Sequence, residues 1–168
     1  EFKVKVKNLK LIARTTEDLR VISAHLQDSI VKTSDIANLK KNKIFLMQLN
    51  RFMWEDVEKG VFRKNKRIRT VLKFENILKV ASKNVDQKKN DRFLDFLAIE
   101  TIKMPDKNYE MNLIFSEDIV LKLIAEAIEV TLDDQGAPWE SKNKPEHKDL
   151  WCQNLMEEII GQARNFRV

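Results

Sequence analysis

From residue 35 onward the chain keeps returning to one pattern: an apolar residue at every second position, in short runs broken by turn-forming residues. Residues 67–74 show it best, with Ile68, Thr70, Leu72 and Phe74 on one side and Arg67, Arg69, Val71 and Lys73 on the other. A period of two marks a strand with one buried face. The theme continues through 35–39, 43–52, 77–82, 93–103, 109–115 and 119–124. Lys40-Lys41-Asn42, residues 84–90, Pro105-Asp106-Lys107-Asn108 and Ser116-Glu117-Asp118 separate these runs and suit turns. Many short strands on short connections predict a predominantly antiparallel sheet or small barrel.

Helices are expected at the ends of this strand-rich region. Thr15-Thr16-Glu17-Asp18 offers a hydroxyl cap with acids in the first turn. Leu19, Ile22, Leu26 and Ile30 follow at spacings of three and four, which predicts an amphipathic helix over 17–31. Ile124, Ile128 and Leu132 predict a second helix over 125–134 with Gly136 as its cap, before a loop bracketed by Pro138 and Pro145 that carries Trp139. A last helix over 148–163 lines up Trp151, Leu155 and Ile159. The alternation in Phe2-Lys3-Val4-Lys5-Val6-Lys7 suits an edge strand. The expected fold is α+β: an antiparallel sheet or small barrel, in one form a pleckstrin-like roll, with an N-terminal helix and C-terminal helices packed on it. Residues 1–147 read as a single α+β domain and 148–168 as a C-terminal helical extension.

Composition narrows the chemistry. The 168 residues suffice for a core without disulfides or metal, and the single cysteine, Cys152, has no internal partner. No apolar run reaches the roughly 20 residues that span a bilayer, so membrane insertion is not expected. A start at Glu1-Phe2-Lys3, without Met, reads as a processed or trimmed end, and a removed organellar presequence would look the same. Gly60, Gly136 and Gly161 are the only glycines, too few and too isolated for a phosphate-cradling loop or a glycine-flanked nucleophile. His25 and His147 stand far apart, so no zinc set can be written. Asp133-Asp134 with Glu117-Asp118 would suit a hard cation, although acids at turns are ordinarily just solvated. No catalytic residue, cofactor or metal is expected.

Charge is uneven along the chain. Residues 1–84 carry 20 Lys/Arg against 9 Asp/Glu, and residues 85–168 carry 11 against 17, for a net of +5. Either the halves neutralise each other inside one fold, or one side meets an anionic partner.

Three groups of residues stand out. His25 and Asp28, one turn apart on the expected helix, form a carboxylate–imidazole pair, and Asn50 and Arg51 join them as a candidate polar pocket. The plainer reading is a polar helix face, with Arg51 held by Glu55 in an internal ion pair and Trp54 filling volume. Residues 59–73 hold seven cations and no acid, and Arg63, Lys64, Lys66, Arg67, Arg69 and Lys73 form a candidate basic face. Such a row follows a phosphate backbone, or else is a solvated face or one half of an acidic protein interface. The stripe of Trp151, Leu155 and Ile159 suits a partner's groove or its own domain equally.

Blocks of sequence also carry a resemblance. They are Leu11-Ile12-Ala13 with Glu17-Asp18-Leu19 and Ser23-Ala24-His25-Leu26-Gln27-Asp28, then Leu49-Asn50-Arg51-Phe52 with Trp54-Glu55. Leu113-Ile114-Phe115, Glu126-Ala127-Ile128-Glu129, Leu132-Asp133-Asp134 and Gly136-Ala137-Pro138-Trp139 complete them. In this order, over about residues 9–147, the chain resembles the alphaproteobacterial family catalogued as domain of unknown function 2948. The resemblance implies a cytoplasmic bacterial protein with no assigned activity, or a mitochondrial matrix protein if the chain is a processed organellar homologue. Ser116-Glu117-Asp118 departs from the family pattern, which has glycine there. The expectation is a non-catalytic protein-interaction or assembly module with a protein partner. Its alternative is a basic RNA- or ribosome-associated protein using residues 59–73; no DNA-binding motif is present.

Overall fold

The computed structural model describes residues 8–57, 65–84 and 92–141. The expected edge strand over 2–7 and the expected helix over 148–163, with Trp151, Leu155 and Ile159, lie outside the described residues. Among the described residues the strands are β1 Lys10–Ala13, β2 Ser29–Leu39, β3 Ile44–Phe52, β4 Lys66–Phe74, β5 Ile77–Lys83, β6 Phe93–Lys103, β7 Tyr109–Phe115, β8 Val120–Ala125 and β9 Val130–Glu140, and the alternating runs correspond to β2 through β8. Helix α1 spans Thr16–Leu26, and α2 is a single turn, Trp54–Val57.

The strands form one sheet in the order β1-β9-β4-β3-β2-β6-β7-β8-β5, every neighbouring pair antiparallel. Its connections force it to curl. Only Glu75 and Asn76 separate β4, third in the sheet, from β5 at the far edge. A link that short cannot cross a flat sheet of this width, so the two ends must approach each other. Backbone bonds clasp the turn: Ile77 N–H to Lys43 O and Glu75 N–H to Glu129 O, both 2.9 Å, and Glu126 N–H to Asn76 O, 3.0 Å. The result is an open roll. The small-barrel expectation is corrected, because β1 and β5 remain separate edges among the described residues.

The interior of the roll is the core. Residues from all nine strands and α1 meet in one hydrophobic cluster, and Phe45, Phe74, Phe96 and Phe115 are fully buried in it. Phe45 with Phe74 and Phe96 with Phe115 pack edge-to-face at 6.0 and 5.5 Å between ring centres. Such pairs contribute about 0.5–1.5 kcal/mol each beyond their burial. Helix α1 lays Leu19, Ile22 and Leu26 on the core and packs against β6, β1 and β3.

Two helical expectations are corrected. The first helix stops at Leu26, and Ile30 belongs to β2. Asp28 turns the chain with φ 61° and its N–H bonds Phe96 O at 2.8 Å, which starts the sheet. The segment expected as a helix over 125–134 is instead the end of β8 at Ala125, a short connection and the first residues of β9 from Val130. Its apolar residues satisfy both periods, but Ile128, Val130, Leu132 and Asp134 are buried alternately, and β4 and β1 supply strand partners on either side. Gly136, expected to cap that helix, lies inside β9 at φ 72°, beside a register shift against β4.

Candidate functional site

The inward row of β3 runs Phe45, Met47, Leu49 and then, one step further, Arg51. The same alternation that buries those apolar residues therefore buries a guanidinium completely. A buried charge at this position needs opposite charges in excellent geometry. Asp134 comes from β9, which pairs Thr70 of β4, and Glu55 from the turn of α2. Arg51 Nε and Nη2 donate to the two Asp134 carboxylate oxygens at 2.8 and 2.7 Å, and Nη1 and Nη2 donate to those of Glu55 at 3.0 and 2.7 Å. Thr70 Oγ1 and Leu9 N–H donate to the Asp134 carboxylate at 2.8 and 3.0 Å.

Burial alone would push the Asp134 carboxyl up. The bonds and charge of Arg51, with those of Thr70 and Leu9, outweigh it and hold the carboxyl below its ordinary value. Glu55 follows the same balance: burial raises it, Arg51 lowers it more. Burial likewise lowers Arg51, and the two carboxylates more than reverse that. Arg51 could have gripped a ligand's carboxylate or phosphate with its planar fork. Here the fork is filled by the protein's own acids.

The other members of the expected polar pocket divide between two faces. His25, in the last turn of α1, faces Glu55, with Nδ1 3.9 Å from Oε2, so the carboxylate beside the imidazole is Glu55. The expected pairing of His25 with Asp28 required a helix through residue 28, and α1 ends before it. Asn50 lies across from Ile30 and Arg69 on the outer face of β3, opposite in sense to Arg51. Trp54 is a packing residue: its ring meets Phe52 edge-to-face at 4.7 Å and Nε1 donates to Gln27 O at 2.8 Å.

The expected basic face does not present a clean row of cations. Arg67 folds back, Nη1 donating to Asp28 O and Asn50 O at 3.1 Å, with its guanidinium over Phe52. Lys73 pairs with Glu75 at 3.2 Å, and Asp133 faces outward beside Val71, between Arg69 and Lys73. Lys66 is half-buried and Arg69 exposed; Arg63 and Lys64 lie outside the described residues. The hairpin tip with Lys40 and Lys41 sits at the Phe74 end of β4, away from Arg67, and Lys43 there pairs with Glu126 at 3.2 Å.

A cationic surface that the sequence reading did not single out lies on the outer side of β5 and β8. Lys79, Ala81 and Lys83 of β5 stand opposite Ile124, Lys122 and Val120 of β8. Lys122 pairs with Glu110 of β7 at 3.3 Å, and Asn112 donates to the same carboxylate at 3.1 Å. Lys79 and Lys83 are exposed and have no ion-pair partner among the described residues. A shallow groove of about 380 Å³, with Ala81, Met104 and Ile124 as its apolar part, opens between Lys79, Lys122 and Glu110. The period-two pattern of 77–82 already set Lys79 and Ala81 on one face; the pairing with β8 that gathers Lys122 was not legible.

Among the described residues no three His, Cys, Asp or Glu are placed to hold a metal, and no helix is long and apolar enough to cross a membrane. Residues 9–147 match the family model described as protein of unknown function (DUF2948). No curated protein and no solved structure matches the chain.

Proposed function

The chain belongs to this family of proteins of unknown function, which assigns no activity, and from the geometry we propose that it is a non-catalytic protein-interaction module docking its partner through the outer face and edge at β5. One contrast carries the reading. The groups with catalytic or ligand-gripping chemistry, Arg51, Glu55 and Asp134, are engaged with one another in the interior, while Lys79 and Lys83 stand exposed at the sheet edge with no ion-pair partner among the described residues. A finer fold expectation goes with it: a pleckstrin-like roll in which a helix over 148–163, carrying Trp151, Leu155 and Ile159, would pack on the sheet or on a partner. The RNA alternative through residues 59–73 draws less support, because Arg67 and Lys73 already have partners and Asp133 breaks the row.

The test is quantitative capture from cells with the wild-type chain, Lys79→Glu/Lys83→Glu and Arg69→Glu. A defined protein that is lost with the double variant and kept with Arg69→Glu supports the proposal. Equal recovery by all three overturns it. A nuclease-sensitive RNA lost with Arg69→Glu also overturns it and favours the alternative.

A further inference from the structure

Strand β5 ends the sheet, and β8 is its sole strand partner among the described residues. At its start the edge is closed: Lys43 O takes the Ile77 N–H, and a register shift at Leu78 breaks the ladder. From Lys79 to Lys83 the backbone bonds only to β8 among the described residues. An edge of this kind is a template for another strand.

Its side chains say which strand fits. Lys79 and Lys83 point the same way, four residues and about 13 Å apart along the strand. Between them stands Ala81, the smallest side chain on that face, next to the groove it shares with Ile124 and Met104. Glu110, which lines the groove, is held by Lys122 and Asn112, Glu100 lies two strands from β8, and Asp118 sits in the turn at the Lys83 end, where its backbone carbonyl accepts from Asn84 Nδ2 at 2.8 Å. The edge is therefore a cation, a gap and a cation. Like charges set directly across a strand pair destabilise it and opposite charges stabilise it. A second β5 aligned antiparallel about Ala81 would set each Lys79 against a Lys83, so another copy of this chain is repelled. An acidic strand is attracted by the same pair.

We propose that β5 accepts an extended acidic segment of a partner protein as a tenth strand, with two acidic residues four apart facing Lys79 and Lys83 and a large aliphatic side chain between them reaching over Ala81 into the groove. This rests on the docking reading above and adds the class of partner and its register. The order acid, any residue, aliphatic, any residue, acid is what the spacing requires. Electrostatics sets the specificity and the salt dependence, while the backbone bonds and the aliphatic contact hold the strand.

The experiment is fluorescence anisotropy of the full chain with a labelled peptide built as glutamate, threonine, isoleucine, threonine, glutamate between threonine flanks. Wild type binds it, and Lys79→Glu/Lys83→Glu weakens binding by about tenfold or more. Replacing the peptide's glutamates by lysine abolishes binding, and N-methylating alternate peptide amides abolishes it in one of the two frames. Ala81→Phe, which fills the gap but leaves both charges, weakens the isoleucine peptide more than an alanine analogue. The proposal is overturned by equal affinity for acidic and basic peptides, by tolerance of N-methylation in both frames, or by a β5-dependent dimer in light scattering. If the peptides fail while cellular capture still depends on Lys79 and Lys83, the strand-addition model falls and the docking reading stands.

Discussion

Arg51 shows how far one residue's environment can reverse its apparent role. Its sequence neighbours, Asn50, Trp54 and Glu55, suggest a ligand clamp, yet its position on β3 follows Phe45, Met47 and Leu49 into the interior. Once there it must be neutralised, and Glu55 and Asp134 do so with four hydrogen bonds. Removing one member of a buried charge set leaves the others unpaired, which costs about 3–5 kcal/mol. Arg51→Met should therefore lower stability by that order in urea unfolding. Arg51→Met/Asp134→Leu should recover a large part of the loss, since Glu55 is a quarter exposed and can be hydrated. The Glu55 pairing, four residues away, was legible in the sequence. Asp134, eighty-three residues away, was not, because only the β4–β9 register brings it to Arg51.

At the scale of elements, the alternating segments announced themselves and the helix–strand boundaries did not. β6 and β7 fall where the alternation places them, and Ile68, Thr70, Leu72 and Phe74 of β4 are all buried as expected. The start of α1 was equally local: Thr15 Oγ1 accepts the Asp18 N–H at 3.1 Å, and the Asp18 carboxylate accepts from the Thr15 and Arg14 N–H groups. Its end was not, since Ile30 satisfies a helical stripe and a strand alike. The β7–β8 turn places Glu117 and Asp118 at φ 61° and 59°, which explains why glycine is the expected residue there. Gly136 makes a sharper case. Its φ of 72° is left-handed, while a Cβ added there would meet nothing within 4 Å. Gly136→Ala should therefore lose about 1 kcal/mol through backbone strain alone, and Gly136→Asn less, measured by urea midpoints. An effect much larger than this would mean that the site is crowded.

For the whole molecule, the uneven charge resolves into neighbours. β9, from the acidic half, lies between β1 and β4 from the basic half, and Arg51 with Asp134 and Lys43 with Glu126 pair across the two. This arrangement predicts an acid-sensitive fold. The carboxyls of Asp134 and Glu55 sit below their ordinary values of 3.8 and 4.5 in the folded chain. Their contribution is complete above those values and is lost as pH falls through the lower folded ones. Urea stability should thus hold at neutral pH and fall below about pH 4. Asp134→Asn should show a shallower acid loss, and an unchanged acid limb would remove Asp134 from its cause.

The sequence by itself determined the sheet-rich, antiparallel character, most strand positions, the N-terminal cap of α1 and the family. The strand positions and the cap depend on contacts within a few residues, where side-chain period and turn chemistry act directly. The tertiary structure decided that residues 130–140 form a strand, that the sheet curls into an open roll, and that Arg51 meets Asp134. It also decided that Lys79 and Lys83 face outward on β5, an edge of the sheet among the described residues, beside Lys122 of β8. Each of those outcomes depends on which strands become neighbours, and that choice is made by packing one shared core from segments far apart in the chain.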